Sequence, residues 1–284
     1  MTVSVVIPSR DRPRALRRCL AALDGDCETI VVDDGSADRD AVAAVAAAGG
    51  ARLVRLDGRG PAAARNAGAA AASGEVVCFT DDDCEPAPGW AATLAAPVLA
   101  GRGPLAAGRT VVAPDASAAD RAWGAIADAL QEAADAPRSP SPGFALTCNL
   151  AVSASLLAEL RFDESFPSAA GEDRDFSARA AARGATAVRV AGAVVVHRPE
   201  LTASRFLRQQ FGYGLGGARY RAGDSGRRLG PPSFYASLLR RGFAAGAAAG
   251  ALVCAAQLAT AAGALGAFFH LWFNKAPSRA AARR

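Results

Sequence analysis

Three consecutive aspartates, Asp81, Asp82 and Asp83, directly follow the apolar run VVCF at 76–79. Adjacent carboxylates repel one another, so a positively charged partner is expected beside them. Carboxylate oxygens in a tight group suit Mg²⁺ or Mn²⁺, and these ions commonly bridge phosphate oxygens. The triplet therefore predicts a divalent metal that neutralises a diphosphate leaving group. The alternative is a solvated acidic junction that only caps the helix near Trp90.

Two other polar clusters also stand where a predicted strand ends. The turn SRDRPR follows a strand at 2–8, and DDGS follows a strand at 28–33. In open parallel sheets, ligands bind beyond the carboxyl ends of the strands, so all three clusters are expected at one edge of a sheet. The first turn lacks the G-x-G-x-x-G pattern of a dinucleotide site, which disfavours an NAD-dependent enzyme.

The elements that carry these clusters alternate in type through the first hundred residues. Short β-branched runs predict strands, and the alanine-rich stretches between them predict helices. Strands are expected at 2–8, 28–33, 51–56 and 75–80, and helices near 13–23, 39–48 and 61–73. This alternation is typical of βαβ units, so we predict an α/β, Rossmann-like and mainly parallel sheet flanked by helices.

A proline- and serine-rich loop, APRSPSPG at 136–143, separates this half from a second segment. The second segment contains a strand-like TCNLAVS, a helix near 155–160, a helix that starts at GEDRDF, and a strand AGAVVVH that ends at His197. An arginine-rich amphipathic stretch begins near residue 201, and residues 242–274 are uncharged. We therefore expect a C-terminal helical segment after the α/β part.

Six stretches together carry a resemblance to a known family. They are VVIPSRDRP, TIVVDDGSAD, GPAAARNAGAAAASGEVVCFTDDD, FDESF, GEDRDFSARAAARG and AVVVH. In this order and approximate spacing, the sequence resembles the family 2 glycosyltransferases of the GT-A fold over roughly residues 2–215. The resemblance implies metal-dependent transfer of a sugar from a nucleotide donor, a UDP-sugar, to a hydroxyl acceptor with inversion. It also implies a role in the synthesis of cell-envelope polysaccharide or glycolipid.

The resemblance assigns one group of residues to the donor nucleotide. In this family pattern Asp34 accepts a hydrogen bond from the base, uracil, although an Asp before Gly35 also suits a simple turn. Arg65 and Asn66 match an arginine–asparagine pair near the ribose and diphosphate, or they form an exposed helix face. The full group of predicted donor-binding residues is Pro8, Ser9, Asp11, Asp34, Arg65, Asn66 and Asp81.

The resemblance also assigns the metal ligands. The triplet matches the D-x-D signature through Asp81 and Asp83, and Cys84 occupies a place where the family often has another acid, which favours Asp83 as a ligand. His197 ends an apolar strand and is a possible metal or diphosphate contact, because neutral imidazole can complete an oxygen-rich site. The alternative for His197 is a hydrogen-bonded structural residue at a strand end.

Glu172 and Asp173, in GEDRDF, match the acidic pair on the acceptor side of the family. An inverting transfer needs a base that takes the proton from the acceptor hydroxyl as this attacks the sugar. Asp173 is the predicted base. The alternative is that both acids only stabilise the start of a helix, by about 0.3–1 kcal/mol.

The chain is accordingly divided into a catalytic domain and a C-terminal region. Residues 1–200 are predicted as the GT-A catalytic domain, with 1–115 as its nucleotide-sugar-binding half and 144–200 as its acceptor-side half. The predicted C-terminal region comprises a basic amphipathic helical segment at 201–241, an apolar helix that is membrane-associated or packed on the domain at 242–274, and a basic tail at 275–284.

The uncharged segment 242–274 would form a helix of about 50 Å, longer than the bilayer hydrocarbon core of about 30 Å. Its glycines Gly242, Gly246 and Gly250 have the spacing that lets membrane helices approach closely. Alanine is only weakly hydrophobic, so an alanine-rich helix or hairpin packed on the domain is the alternative.

Composition restricts the partners and the compartment. The net charge is +5, and Asp224 is the only acid between 201 and 284, so an anionic neighbour is expected there. A membrane surface is favoured over nucleic acid, because basic and aromatic residues are not interleaved in this region.

The six cysteines form no CxxC pair, which is typical of reduced thiols, and the N-terminus does not resemble a signal peptide. We therefore expect a cytoplasmic catalytic domain at the inner face of the cell membrane.

Two other functions compete with the transferase. A nucleotidyltransferase acting on sugar phosphates also holds a metal with acids on an α/β sheet, but it is expected to have a glycine- and lysine-rich triphosphate loop where this chain has SRDRPR. A non-catalytic module that binds nucleotide sugars at a membrane could dispense with the second acidic pair. The presence of both DDD and GEDRD favours an enzyme.

Overall fold

A mixed α/β sheet forms the centre of the molecule. The computed structural model describes residues 2–134, 136, 143–166, 170–222 and 229–274. Within this part of the chain, eight strands form one sheet in the order β3-β2-β1-β4-β7-β6-β8-β5. The strands are β1 Val3–Ser9, β2 Glu28–Asp34, β3 Arg52–Leu56, β4 Val76–Phe79, β5 Cys84–Pro86, β6 Leu105–Val112, β7 Leu150–Ser153 and β8 Ala187–His197.

Helices cover both faces of this sheet and continue beyond it. They are α1 Pro13–Ala21, α2 Arg39–Ala48, α3 Pro61–Ala71, α4 Trp90–Leu99, α5 Ala118–Ala133, α6 Ala154–Glu159, α7 Glu172–Ala181, α8 Ala203–Ala222, α9 Pro232–Ala244 and α10 Ala247–Asn274. Side chains of α1, α2 and α4 pack in the core on one face, and those of α3, α6 and α7 pack on the other. The α/β class predicted from the sequence is confirmed.

The predicted βαβ region is the most regular part of the sheet. Strands β3, β2, β1 and β4 are mutually parallel neighbours. Pro13 and Pro61 stand at the first turns of α1 and α3, where a missing backbone N–H costs nothing. Because β1 pairs with β2 in the register Ser9↔Asp33, the ends of these two strands lie side by side.

The rest of the sheet is less parallel than the sequence predicted. Strand β7 runs antiparallel to β4 and β6, and β5 runs antiparallel to β8. Strand β6, in the alanine-rich stretch LAAGRTVV, has no clear alternation and was not predicted, yet it lies inside the sheet. The strand predicted at TCNLAVS begins with a 3-10 turn at Thr147–Asn149, so only Leu150–Ser153 pairs. Most of the predicted loop at 136–143, namely 137–142, lies outside the described residues.

The C-terminal region folds back on itself. The predicted boundary at residue 242 falls inside α9, and the helix break lies at Ala245–Gly246, where Gly246 has φ +125°. The glycines near this break allow α9 and α10 to approach: a Cβ on Gly242 would lie 2.8 Å from Val253 Cγ2, and one on Gly250 would lie 2.4 Å from Phe243 Cδ1. The small-residue spacing thus serves a helical hairpin within the chain. The predicted basic tail, 275–284, lies outside the described residues.

A third core joins α5 to the C-terminal helices. Phe206 of α8, Leu238 of α9, and Val253 of α10 are buried in it against alanines of α5. In α10, the stretch Ala247–Ala267 is long and apolar enough to cross a membrane. An 18-residue part of it has a mean hydropathy of 1.6, and 28% of that part is buried within the molecule. One side of α10 is therefore part of the folded core.

Candidate active site

One cavity of about 750 Å³ lies at the carboxyl ends of the central strands. The acid triplet follows β4, Ser9 ends β1, and Asp34 ends β2, and these strands are parallel. Strand β8 runs in the same direction, because β6 and β4 both run antiparallel to β7 and β8 is parallel to β6. His197 at the end of β8 therefore reaches the same edge of the sheet, and all these residues line the cavity.

The three aspartates point in different directions. Asp81 accepts a hydrogen bond from Arg65 Nη2 at 3.0 Å. Asp82 is buried and accepts from Ser9 Oγ at 2.8 Å. The positive partner expected beside Asp81 is therefore an arginine of α3, supplied by the chain itself.

Asp83 contacts a histidine and an arginine in the cavity. Its Oδ1 lies 3.2 Å from His197 Nε2, and its Oδ2 accepts from Arg12 Nη1 at 2.5 Å. The antiparallel pairing of β5 with β8 sets Cys84 opposite His197, which brings the neighbouring Asp83 to the imidazole. Arg12 also contacts Asp82, at 3.2 Å, so one guanidinium neutralises two carboxylates.

Burial and these partners shift the acid–base properties of the group. Burial alone would lower the pKa of His197, but the adjacent carboxylate of Asp83 raises this pKa to about 9. Burial works to raise the pKa of Asp83, and the charges of His197 and Arg12 outweigh it and hold this pKa well below its ordinary value. For Asp82, burial and then the charge of Asp83 raise the pKa to about 7.

The donor atoms beside β8 fit a hard divalent cation. Among the described residues, Asp83, Cys84 and His197 form a group in which one ligand atom of each lies within 4.8 Å of the others. Burial raises the pKa of the Cys84 thiol well above its ordinary value, so this thiol stays protonated and does not suit Mg²⁺ or Mn²⁺. A carboxylate and an imidazole remain, a set typical of Mn²⁺ and compatible with Mg²⁺. Asp81, which the sequence also predicts as a metal ligand, is not a member of this group.

The second acidic pair faces the same cavity from α7. This helix begins at Glu172, directly after Gly171, whose φ of +107° turns the chain into the helix. Glu172 is buried and its Oε1 accepts from Arg65 Nη1 at 3.0 Å, whereas its Oε2 is buried without a hydrogen-bond partner. Burial, and then the nearby charge of Asp173, raise the pKa of Glu172 to about 7. Half-buried Asp173 lines the cavity, and burial also raises its pKa.

Arg65 connects the two acidic groups. One of its terminal nitrogens binds Asp81 and the other binds Glu172, each at 3.0 Å. The DDD and GEDRD motifs, 91 positions apart by the numbers of Asp81 and Glu172, therefore meet at a single guanidinium.

Two of the predicted donor-binding residues do not line the cavity. Asp11 is exposed and ties the first loop to the second, since its Oδ1 accepts from Ala37 N at 2.7 Å. Asn66 is buried and holds the chain at Phe162, donating to its carbonyl and accepting from its N–H, both at 2.9 Å. In this structure both residues bind other parts of the chain.

The other predicted donor-binding residues do line the cavity, namely Pro8, Ser9, Asp34, Arg65 and Asp81. Both carboxylate oxygens of Asp34 accept backbone N–H groups, from Arg59 at 2.7 Å and Gly60 at 2.8 Å. Asp34 thus shapes the loop that precedes α3. Its contact with a base stays a prediction.

Sequence reasoning assigned no role to several residues of the site. Arg12 lies in the turn SRDRPR, where the resemblance assigned roles to Ser9 and Asp11 and none to Arg12. Trp123 of α5 packs on His197, with ring centroids 4.1 Å apart, and Tyr213 of α8 also lines the cavity. Helix α5 comes from a stretch without a motif, so its approach to His197 depends on tertiary packing.

Comparisons of the whole fold agree with this architecture. The crystal structure of glucosyl-3-phosphoglycerate synthase from Mycobacterium tuberculosis in complex with Mn²⁺, UDP and glucosyl-3-phosphoglycerate superposes with a TM-score of 0.54 at 23% identity, over 78% of this chain and 79% of that chain. The complex of the same enzyme with Mg²⁺ and UDP gives a TM-score of 0.53 at 24% identity, over 78% of each chain. The fold is therefore of the GT-A type.

The sequence comparisons identify the family. Residues 4–134 match the family described as Glycosyl transferase family 2, which confirms the resemblance over that part of the chain. The pre-mycofactocin glycosyltransferase of Mycobacterium tuberculosis is 43% identical over 96 residues, which are 32% of this chain. The match spans about a fifth, 20%, of the length of that curated relative.

Proposed function

We propose that this protein transfers a sugar from a UDP-sugar to a hydroxyl acceptor, with inversion at the anomeric carbon. The observation that carries the proposal is the convergence of two acidic motifs on one cavity, with Arg65 bound to both Asp81 and Glu172. A nucleotide-binding module needs the first motif, whereas transfer also needs a proton acceptor on the other side of the sugar.

The residues fit a divalent metal, Mn²⁺ or Mg²⁺, with Asp83 and His197 as its protein ligands. The complexes of glucosyl-3-phosphoglycerate synthase with UDP and either metal support this choice of donor and cofactor. A metal bound there would neutralise the charge that develops on the departing diphosphate. Arg12 and Arg65 place two further cationic groups at the same end of the cavity.

Asp173 acts as the base in this proposal. It lines the cavity, and its Oδ1 accepts a hydrogen bond from the backbone N–H of Arg174 at 2.7 Å. Its carboxylate accepts the proton of the acceptor hydroxyl as the new glycosidic bond forms, and the nucleoside diphosphate leaves from the opposite face. Glu172, held by Arg65, positions the start of α7.

The acceptor is open to direct test. Related proteins are named for two acceptors, since the solved synthase binds phosphoglyceric acid and the sequence relative is a pre-mycofactocin glycosyltransferase. The role in cell-envelope polysaccharide or glycolipid synthesis follows from the sequence resemblance and stays part of the proposal.

Contact with the inner face of the cell membrane is also part of the proposal. Among the described residues, the large hydrophobic side chains that are exposed all fall between residues 211 and 265. Leu258 and Leu265 on α10 are the most exposed of those on this helix, at 75% and 60%. Such a concentration of apolar side chains is typical of a surface that meets a membrane or another protein.

A panel of nucleotide sugars tests the activity. Binding of each donor is measured by calorimetry with Mn²⁺ and with a chelator, and release of UDP is followed with and without acceptor. We expect metal-dependent binding of a UDP-sugar and slow hydrolysis in the absence of acceptor. Formation of pyrophosphate from a nucleoside triphosphate and a sugar phosphate would instead identify a nucleotidyltransferase, and binding without any turnover would identify a non-catalytic module.

A further inference from the structure

The cavity continues beyond the two acidic groups into a space between the C-terminal helices, here called the apolar chamber. Its walls come from α5, α9 and α10. They include Trp123, Ile126, Leu130, Phe234, Leu238 and Ala264. We propose that the apolar chamber binds a hydrophobic part of the acceptor, so that the acceptor is a hydroxyl compound with a substantial apolar body. This inference rests on the proposed transferase function.

The charges of the cavity are distributed unevenly. Among the described residues that line it, those from α5, α9 and α10 carry no charged side chain. The acids and most of the arginines belong to the strand ends and to α7. A small, highly charged acceptor would use only the polar end and leave the apolar walls facing water, which is unfavourable.

Helix α8 brings a polar group without a partner to the same cavity. Gln210 of α8 is 3% exposed, lines the cavity, and its Nε2 has no hydrogen-bond partner. Burying an amide N–H without an acceptor costs free energy, so such a group is expected to bind a ligand. Thr260 of α10 donates to the carbonyl of Gln210 at 3.3 Å, which fixes α10 beside this position. Apolar walls with a few polar groups are the usual composition of a small-molecule site.

The chamber and the proposed base belong to one space. Asp173 and Tyr213 line the same cavity as Ala264. An acceptor can therefore present its hydroxyl to Asp173 while its apolar body remains between the helices. Arg174 and Arg221 also line the cavity and could bind an anionic group of the acceptor. A small anionic acceptor is therefore the competing hypothesis, and the experiment includes one.

Matched ligands test the inference on the full chain. Methyl β-D-glucoside and octyl β-D-glucoside present the same hydroxyls and differ in the apolar group, and 3-phosphoglycerate is the small anionic competitor. Binding to the protein with Mn²⁺ and UDP is measured by calorimetry, with the octyl compound below its micelle concentration and without vesicles. Dodecyl β-D-glucoside, also kept below its micelle concentration, distinguishes a lipid-like acceptor from a compact one. Only a site that accommodates a long alkyl chain should bind it more tightly than the octyl compound.

Two alanines of α10 provide a matched pair of variants. Ala264 lines the cavity, whereas Ala262 is exposed and does not line it. Ala264→Leu should fill part of the chamber, and Ala262→Leu adds the same atoms outside it. Ala261→Leu, at another lining position that is also exposed, replaces Ala264→Leu should that variant fail to fold.

We expect octyl glucoside to bind at least about tenfold more tightly than methyl glucoside, a difference that burial of about two methylene groups provides. Ala264→Leu should remove this preference, and Ala262→Leu should retain it. Equal affinity for the two glucosides, an unchanged preference in the lining variants, or tight binding of 3-phosphoglycerate alone would each overturn the inference. UDP binding is measured in the same samples. If the unmodified chain does not bind UDP, the proposed function is refuted. If it binds UDP but does not prefer octyl glucoside, only the inference that the apolar chamber binds the acceptor is refuted.

Discussion

At the scale of single residues, Arg65 decides how the cavity is organised. It is 3% exposed, and a buried guanidinium is tolerated only with close anionic partners. Asp81 and Glu172 supply those partners, so one arginine on α3 sets the distance between the two acidic motifs. The acids of the DDD and GEDRD motifs are therefore positioned together.

Asp83 should be necessary for metal binding. In Asp83→Asn the carboxylate that faces His197 is lost, so Mn²⁺-dependent affinity for UDP should fall by about 10–100-fold or more, since even outer partners of a metal site have effects of that size. Calorimetry with and without chelator measures this change. Asp26→Asn, at an exposed position outside the cavity, is the control and should bind normally. Unchanged binding by Asp83→Asn would refute the assignment.

Asp173 should be necessary for transfer and unnecessary for donor binding. Asp173→Asn keeps the size of the side chain and removes its basicity, so the transfer rate should fall by about 10²–10⁴-fold, the usual contribution of general base catalysis. Glu172→Gln should have a smaller effect, because Glu172 is held by Arg65. Product formation and UDP affinity are measured separately. A parallel loss of both quantities would indicate that Asp173 has only a structural role.

The rate of transfer should increase with pH. Burial raises the pKa of Asp173, and it raises the pKa of Glu172 to about 7, so the folded protein holds these protons to a higher pH than an exposed carboxyl group does. The base must be ionised, and kcat/KM should therefore decline as the pH falls from 8 to 5. The free energy of unfolding should depend on pH in the opposite direction. The stabilising contribution of Glu172 is present below its ordinary pKa of 4.5 and is lost as the pH rises through about 7.

The pH profile has its own control. Glu172→Gln removes one member of the acidic pair, and a remaining pH dependence would then belong to Asp173. A flat profile between pH 5 and 8 in the unmodified protein would contradict the elevated pKa values.

At the scale of elements, α8 fixes the start of α7. A Cβ on Gly216 of α8 would lie 1.6 Å from the carbonyl oxygen of Ala170, so the two backbones touch. Gly171 follows with its positive φ, and Glu172 and Asp173 come next. The contact between α8 and this turn therefore determines where the proposed base lies.

Gly216→Ala should separate these elements, whereas Gly212→Ala should not. The new methyl group at residue 216 must displace backbone atoms, at a cost of about 1–3 kcal/mol, and it should lower both the melting temperature and the transfer rate. Around Gly212 a Cβ would meet no atom within 4 Å, and Ala favours a helix over Gly by up to about 1 kcal/mol. Thermal unfolding should therefore show stability changes of opposite sign for the two variants. The transfer assay should show a loss of rate for Gly216→Ala. Equal behaviour of the two variants would show that the contact with Ala170 is unimportant.

At the scale of the whole molecule, the C-terminal helices have two surfaces. One side of α10 packs on α5, α8 and α9 and completes the cavity. The other side exposes Leu258 and Leu265, and α8 exposes Phe211 and Leu215, which lie near Gly263 and Gly266 of α10. An element with one packed side and one exposed apolar side suits contact along a membrane surface.

Flotation with vesicles that contain anionic lipids tests this contact. The full chain should float with the vesicles, and Leu258→Gln combined with Leu265→Gln should reduce the bound fraction, because about 1.5–3 kcal/mol is lost for each large side chain that no longer enters the apolar phase. Ala262→Gln is the control, since it introduces the same polar group at an exposed position without removing a large side chain. Absence of flotation by the unmodified chain would contradict membrane contact.

The sequence by itself determined the parallel half of the sheet and the location of its polar clusters. Alternating β-branched and alanine-rich runs specify βαβ units through local periodicity, and parallel strands must end at one edge. Ser9, Asp34 and Asp81 could therefore be placed at the same cavity from short stretches of sequence. Helix α2 spans Arg39–Ala48, which agrees with the range of 39–48 predicted from the sequence.

Only the tertiary structure decided which of these residues meet one another. Asp83 reaches His197 because β5 pairs with β8, and Asn66 turns away from the cavity because its amide satisfies the backbone at Phe162. The uncharged C-terminal segment folds back at Gly246 and becomes part of the cavity wall. The positions of Asp83, Asn66 and the C-terminal segment depend on contacts between residues far apart in the chain. Packing and the need to pair buried polar groups determine these contacts, and local periodicity carries no information about them.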